Sequence, residues 1–289
     1  MRISDVTNAS SLISQLQKYN AKESELSSEL TSGKSVSSLQ DNSSVANTVL
    51  NSQVDRDQLV QYYDNSTSAD NIAESGVNAL GSVSSEIELA LKEAETGTSD
   101  TAVASSVDDI INSVLALANE NYGNDYLFAG TASGSTTKPY TYDSTTGQYV
   151  YNGSGDGRSI SVSDGDSVSP FTTDSDNQAI LSTLNNLLSL KTAIASGSSD
   201  GIATASEALS SDQTVITSAA SELSTTQSRI TMIQTSLSNK YSVEDDAEET
   251  ATNADSNTVT ASLLTAQNAY SAALQCTQMI LSKSLLDYM

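Results

Sequence analysis

The stretch Gly153-Ser-Gly-Asp-Gly-Arg158 comes nearest, in this sequence, to residues that could do chemistry. Spaced glycines let a backbone wrap a phosphate, and the helix that follows supplies free N–H groups. Here Arg158 stands where the last glycine of a G-x-G-x-x-G loop belongs, and the residues after it alternate like a strand. The glycines therefore read as turn residues. Gly33-Lys34-Ser35 ends like a P-loop but lacks the upstream glycine. Asp174-Ser-Asp-Asn177 and Asp164-Gly-Asp-Ser167 are weak cation patterns that turn chemistry explains better. The acidic run Glu244–Glu249 lacks ligands at fixed offsets around a glycine, so it reads as a solvated helix face. Asn8, Asn42, Asn65 and Asn152 each head an N-x-Ser/Thr triplet, as chance allows in a chain this rich in Ser and Thr. There is no histidine, which removes the commonest general base and metal ligand. The one cysteine, Cys276, can form no internal disulfide and reads as a small apolar helix residue. Carboxylates abound, but nothing apolar surrounds them to shift a pKa. The expectation is a protein with no catalytic residues, no cofactor and no metal: not an enzyme.

Composition points the same way. The chain has 289 residues, 37% hydrophobic and 5% aromatic, with two prolines. Ala, Ser and Leu dominate, which suits long helices packed along their length rather than thick cores. The net charge of -24, from 36 acidic and 12 basic side chains, makes nucleic acid and anionic membrane poor partners. No stretch approaches the roughly 20 apolar residues of a membrane span. The first twenty residues lack the unbroken apolar core of a signal peptide. The expectation is a soluble protein, intracellular unless it leaves by a route that cleaves no signal.

The elements follow from periodicity. Leu12, Leu16, Tyr19, Leu26 and Leu30 recur at steps that place them on one helix face, and Gly33 stops that helix. Residues 45 to 95 read as a second long helical region, and Val103 to Ala118 as a third that ends near Asn121 to Gly123. From 131 to 170 the period changes to two, with short strands in Tyr140–Asp143, Gln148–Tyr151 and Arg158–Asp166. Asp143 to Gly147 reads as a hairpin loop and Asn152-Gly153 as a turn. Helical spacing resumes near Asn177, breaks at 196 to 201, and runs on from 202 to 241. The last helix carries a heptad seam through Val259, Leu263, Ala266, Tyr270, Ala273, Thr277 and Ile280, flanked by Leu264, Leu274, Leu281 and Leu285. Two apolar terminal helices around a polar middle suggest that the ends pair with each other, with other copies, or both.

Four stretches carry a family resemblance. They are the start Met1-Arg-Ile-Ser4, Leu26–Val36, the segment Asn121-Tyr-Gly-Asn-Asp-Tyr-Leu-Phe-Ala-Gly-Thr131, and Ala269–Met289 with its Ser-Leu-Leu-Asp-Tyr ending. Together they resemble the bacterial flagellin superfamily, and within it the flagellar hook-associated protein 3 family of hook–filament junction proteins. The strand region Tyr149–Asp166 is similar too. The turn that often reads Asp-Asp-Pro in this family is Asp41-Asn42-Ser43 here.

The resemblance implies a mainly α fold: an elongated, flagellin-like helical bundle or coiled coil formed by both termini, with a small inserted β-rich outer domain. Residues 1–35 plus 255–289 would form the terminal coiled-coil (inner) domain, 36–130 plus 175–254 a helical rod, and 131–174 the outer domain. It implies a structural component of the flagellum that joins hook to filament; a filament flagellin is the alternative. The implied partners are further copies in a ring, the hook-side junction protein, flagellin and a flagellar export chaperone, with no nucleic acid and no membrane. The implied location is the extracellular flagellum, reached by type III export without a cleaved signal. The expected assembly interface is Leu12, Leu16, Tyr19, Leu26, Leu30, Leu263, Tyr270, Leu274, Ile280, Leu281 and Leu285. Tyr126, Leu127, Phe128 and Gly130 would anchor the insertion to the helical core.

Overall fold

The computed structural model describes residues 3–35, 43–96, 101–132, 134, 137–155 and 157–286, with side chains described from Ser10 to Met279. The chain is mainly α. Among the described residues six helices, α1 (Ile3–Ser32), α2 (Ser43–Thr96), α3 (Thr101–Ala118), α4 (Asp174–Ser196), α5 (Ser199–Thr252) and α6 (Ser256–Leu286), enclose six short strands in sequence. The chain divides into two compact units, one of residues 1–57 and 241–289, the other of Gln58–Lys240.

In the first unit α1 packs along α6. The buried contacts are Leu26, Val259 and Ala266, with Ala254 and Leu263 partly buried against them. Gly33 ends α1 in the left-handed region, at φ 70°, and its N–H donates to the Glu29 carbonyl. The chain beyond is held to the α5–α6 link, since Ser35 N donates to the Thr252 carbonyl and Ala254 N to that of Gly33. Asp255 then caps α6, its carboxylate accepting from Asn257 N and Thr258 Oγ1. Those bonds hold the Asp255 pKa below the ordinary carboxylate value, the Thr258 hydroxyl contributing most.

In the second unit Ser84 meets Gln213 and Thr67 meets Gln234, so α2 and α5 run antiparallel. Their apolar faces, with α3 and α4, enclose one core through Leu80, Ile87, Ile111, Leu187 and Leu209. Among the described residues α3 alone is long and apolar enough to cross a membrane, but Val107, Ile111 and Val114 spend that apolarity inside the core. Thr173 opens α4 with a reciprocal cap to Asp176, and Gly197 closes it at φ 68°.

Among the described residues the strands form three antiparallel hairpins: β1 (Asn121–Tyr122) with β2 (Asp125–Tyr126), β3 (Tyr140–Asp143) with β4 (Gln148–Tyr151), and β5 (Ile160–Ser163) with β6 (Asp166–Val168). A two-stranded hairpin is marginal in water. Two of these borrow stability from the helices. Tyr140 of β3 joins the main core, while Val162 and Val168 pack on Ala69 of α2 and Ile230 of α5.

Two sequence expectations fail locally. The third helix ends at Ala118, and residues 121–126 form a hairpin instead of continuing it. Asn152-Gly153 is no turn: Asn152 N donates to the Pro139 carbonyl and extends the β3–β4 ladder. The loop expected at Asp143 to Gly147 is there, with Asp143 opposite Gln148.

Candidate assembly interface and insertion anchor

The expected assembly residues sit along α1 and α6 with uneven burial. Leu26 is buried; Leu12, Leu16, Leu263 and Tyr270 are half-buried; Tyr19, Leu30 and Leu274 are exposed. Ile280, Leu281 and Leu285 belong to α6, but their side chains lie outside the described residues. Ile13, Leu264 and Met279 add exposed apolar surface to the same two helices. The pair thus buries a thin seam and leaves most of its apolar side chains wet, although burial of one Leu is worth about 1.5–3 kcal/mol.

The expected anchor is more completely enclosed. Tyr126 is half-buried in β2, whereas Leu127, Phe128 and Gly130 are buried. Leu127 N donates to the Glu120 carbonyl across the mouth of the first hairpin. Gly130 has φ 61° and lies parallel to Ser154, so close that a Cβ there would stand 2.3 Å from the Gly155 carbonyl oxygen. Thr131 then bonds the Ser154 carbonyl through both its N–H and its hydroxyl. The Arg158 side chain, which stands where a phosphate loop would need a glycine, pairs with Asp125 and lies over the Phe171 ring.

Sequence reasoning missed the residues that fix the second hairpin. Asn119, just past the end of α3, donates Nδ2–H to the Tyr140 carbonyl and accepts from Tyr140 N, both at 3.0 Å. Asn185 of α4 makes the same pair of bonds with the Tyr149 backbone. Two asparagines, one at the end of α3 and one within α4, therefore act as short strand edges, one for β3 and one for β4. The Tyr140 hydroxyl donates to the Asn177 carbonyl at 2.9 Å. Burial raises the Tyr140 phenol well above its usual pKa, and burial with nearby Asp174 pushes Tyr151 up to about 12. Both phenols stay neutral and cannot serve as bases near neutrality. A Tyr-rich hairpin seen in sequence is a plausible surface element; only the asparagine spacing, read against a fold, could have shown otherwise.

One carboxylate is held in an unusual place. Asp212 of α5 is buried, accepting from Asn186 Nδ2 at 2.7 Å. Burial raises its pKa, and hydrogen bonds from Asn186, Ser182 and Thr183 oppose the rise. Among the described residues, no three His, Cys, Asp or Glu converge as a metal site.

No family model matches the sequence, and no curated protein matches it significantly. Solved structures do match. A structure described as a flagellar hook-associated protein from Vibrio parahaemolyticus aligns over 73% of this chain and 99% of its own, at TM-score 0.66 and 17% identity. Bacillus cereus FlgL aligns over 63% and 97%, at TM-score 0.54 and 19% identity. The flagellar junction protein FlgL from Legionella pneumophila aligns over 71% and 100%, at TM-score 0.51 and 11% identity. At such low identity it is the backbone that is shared, and this chain has the fold of the flagellar hook-associated and junction proteins.

Proposed function

We propose that the chain is a structural, non-enzymatic component of the bacterial flagellum, a junction protein that joins hook to filament. The observation that carries this reading is the near-complete coverage of three flagellar structures by a chain whose sequence also bears the Tyr126-Leu-Phe-Ala-Gly-Thr131 and Ser284-Leu-Leu-Asp-Tyr288 motifs. The wet apolar stripes of α1 and α6 support it, since they suit a surface completed by neighbouring copies.

In this reading residues 1–35 and 255–289 form the inner layer of a ring. Residues 36–130 and 175–254 form the rod and 131–174 the outer domain. The ring contacts the hook-side junction protein on one side and flagellin on the other. The chain reaches the cell exterior by type III export, escorted by a chaperone and without a cleaved signal.

The test is a deletion strain of the source bacterium. The expected phenotype is hooks without filaments, flagellin shed into the medium, and recovery on complementation. Immunogold labelling should mark the hook–filament boundary in a few copies per flagellum. Attached filaments of normal length in the deletion strain would overturn the reading.

A further inference from the structure

The inward face of the last turns of α5 is made of carboxylates. From Tyr241 to Thr250 every residue is exposed except Glu244 and Glu248, one turn apart. A helix packed on a neighbour normally sets apolar side chains at that spacing. In the same unit α2 answers with polar groups. Ser52 is buried and donates to Glu244 at 3.1 Å, and the Arg56 guanidinium bonds both Asp245 and Glu248. Arg56 also lies 5.9 Å from the centroid of the Tyr241 ring. Only Val49 of this α2 segment is a buried hydrophobic residue. Asp55 and Asp57 flank Arg56 on its own helix, and Asp246 and Glu249 stand beside its partners. Arg56 therefore sits among seven carboxylates at a seam with little apolar burial.

We propose that Arg56, fixed by Asp245, Glu248 and Tyr241, is an electrostatic clasp that closes α2 on α5 in the first unit against the mutual repulsion of the carboxylates around it. The Arg56 and Glu248 side chains are 18% and 22% exposed, so the pair is shielded but not sealed. Salt at about 1 M shortens the screening length to roughly 3 Å, which weakens the repulsion among the exposed carboxylates far more than the contact between Arg56 and its partners. The guanidinium fork, which spans two carboxylates, has no equivalent in a lysine. The clasp is independent of the flagellar assignment.

Hydrogen exchange on the full-length chain tests it. In the unaltered protein, amides of 43–57 and 241–252 should keep their protection from low salt to about 1 M NaCl. Arg56→Met should lose about tenfold in protection there at low salt and regain part of it at about 1 M NaCl, while amides of 72–90 hold. Arg56→Lys should fall between. A loss of protection with rising salt in the unaltered protein, or a loss in Arg56→Met that salt deepens, would overturn the proposal. So would unaltered protection in Arg56→Met, or a loss in that variant spread equally over 72–90.

Discussion

Replacing Gly130 by alanine should be far more damaging than the same change at Gly123, although both glycines have nearly the same φ, 61° and 62°. Forcing an alanine into the left-handed region costs about 1–2 kcal/mol at either position. At Gly123 nothing lies within 4 Å of the new methyl group, so the cost stops there. At Gly130 the methyl would stand 2.3 Å from the Gly155 carbonyl oxygen and 2.5 Å from that of Ser154. These are backbone atoms and cannot swing aside as a side chain would. Relieving the clash moves residues 154–155 and strains the bonds from Thr131 N to Ser154 O and from Ser154 N to Ala129 O. Overpacking of this kind adds about 1–3 kcal/mol, and each lost hydrogen bond about 0.5–1.5 kcal/mol. Gly130→Ala should therefore lose about 3–8 kcal/mol against about 1–2 kcal/mol for Gly123→Ala. In a unit of 150–250 residues each kcal/mol lowers Tm by roughly 2–4 °C, so the gap should exceed about 5 °C. Urea unfolding followed by helical circular dichroism measures both variants at equal m-value. A Gly130→Ala variant within about 0.5 kcal/mol of Gly123→Ala would refute the steric argument.

Asp212→Asn should raise stability at neutral pH. Burial lifts the folded pKa of Asp212 above its unfolded value, so its contribution is fully present below the unfolded pKa and disappears as pH rises through the folded one. The variant's advantage should vanish in acid, and a Tm difference that grows as pH falls would contradict the sign. Asn119→Ala removes both bonds to the Tyr140 backbone and should cost about 1–3 kcal/mol, with faster amide exchange at 140–151 and no change across 202–216. Unchanged exchange at 140–151 would show that the hairpin does not depend on that staple.

Much of the helical order was legible because it rests on local signals. Gly33 and Gly197 end their helices at positive φ as glycines past a helical stripe should, and the alternation in Tyr140–Asp143 and Gln148–Tyr151 sets the strand register. What escaped depends on partners distant in sequence. Glu244 and Glu248 look like solvated charge until Ser52 and Arg56 arrive from α2. Asn152-Gly153 has turn chemistry, yet Pro139 and Thr141 recruit Asn152 into a ladder, and Gly153 lies so close to the Tyr151 ring that a Cβ would come within 2.3 Å. The assembly residues were legible as an apolar stripe on two helices. Their uneven burial was not, because the heptad rule assumes one partner along the whole seam and the contacts with α1 cluster around Leu26.

The placement of Asn152 also bears on how the protein ages. An asparagine followed by glycine is the dipeptide most open to deamidation, because the unhindered glycine nitrogen can attack the side-chain carbonyl and close a succinimide ring. Here the Asn152 carboxamide is held by the Lys138 carbonyl and the Thr141 hydroxyl, while its own N–H is committed to Pro139. Ring closure must wait until the ladder opens. The residue is therefore a chemical clock that runs in the unfolded chain and stops in the folded one, and the isoaspartate at this position records how long a molecule has spent open.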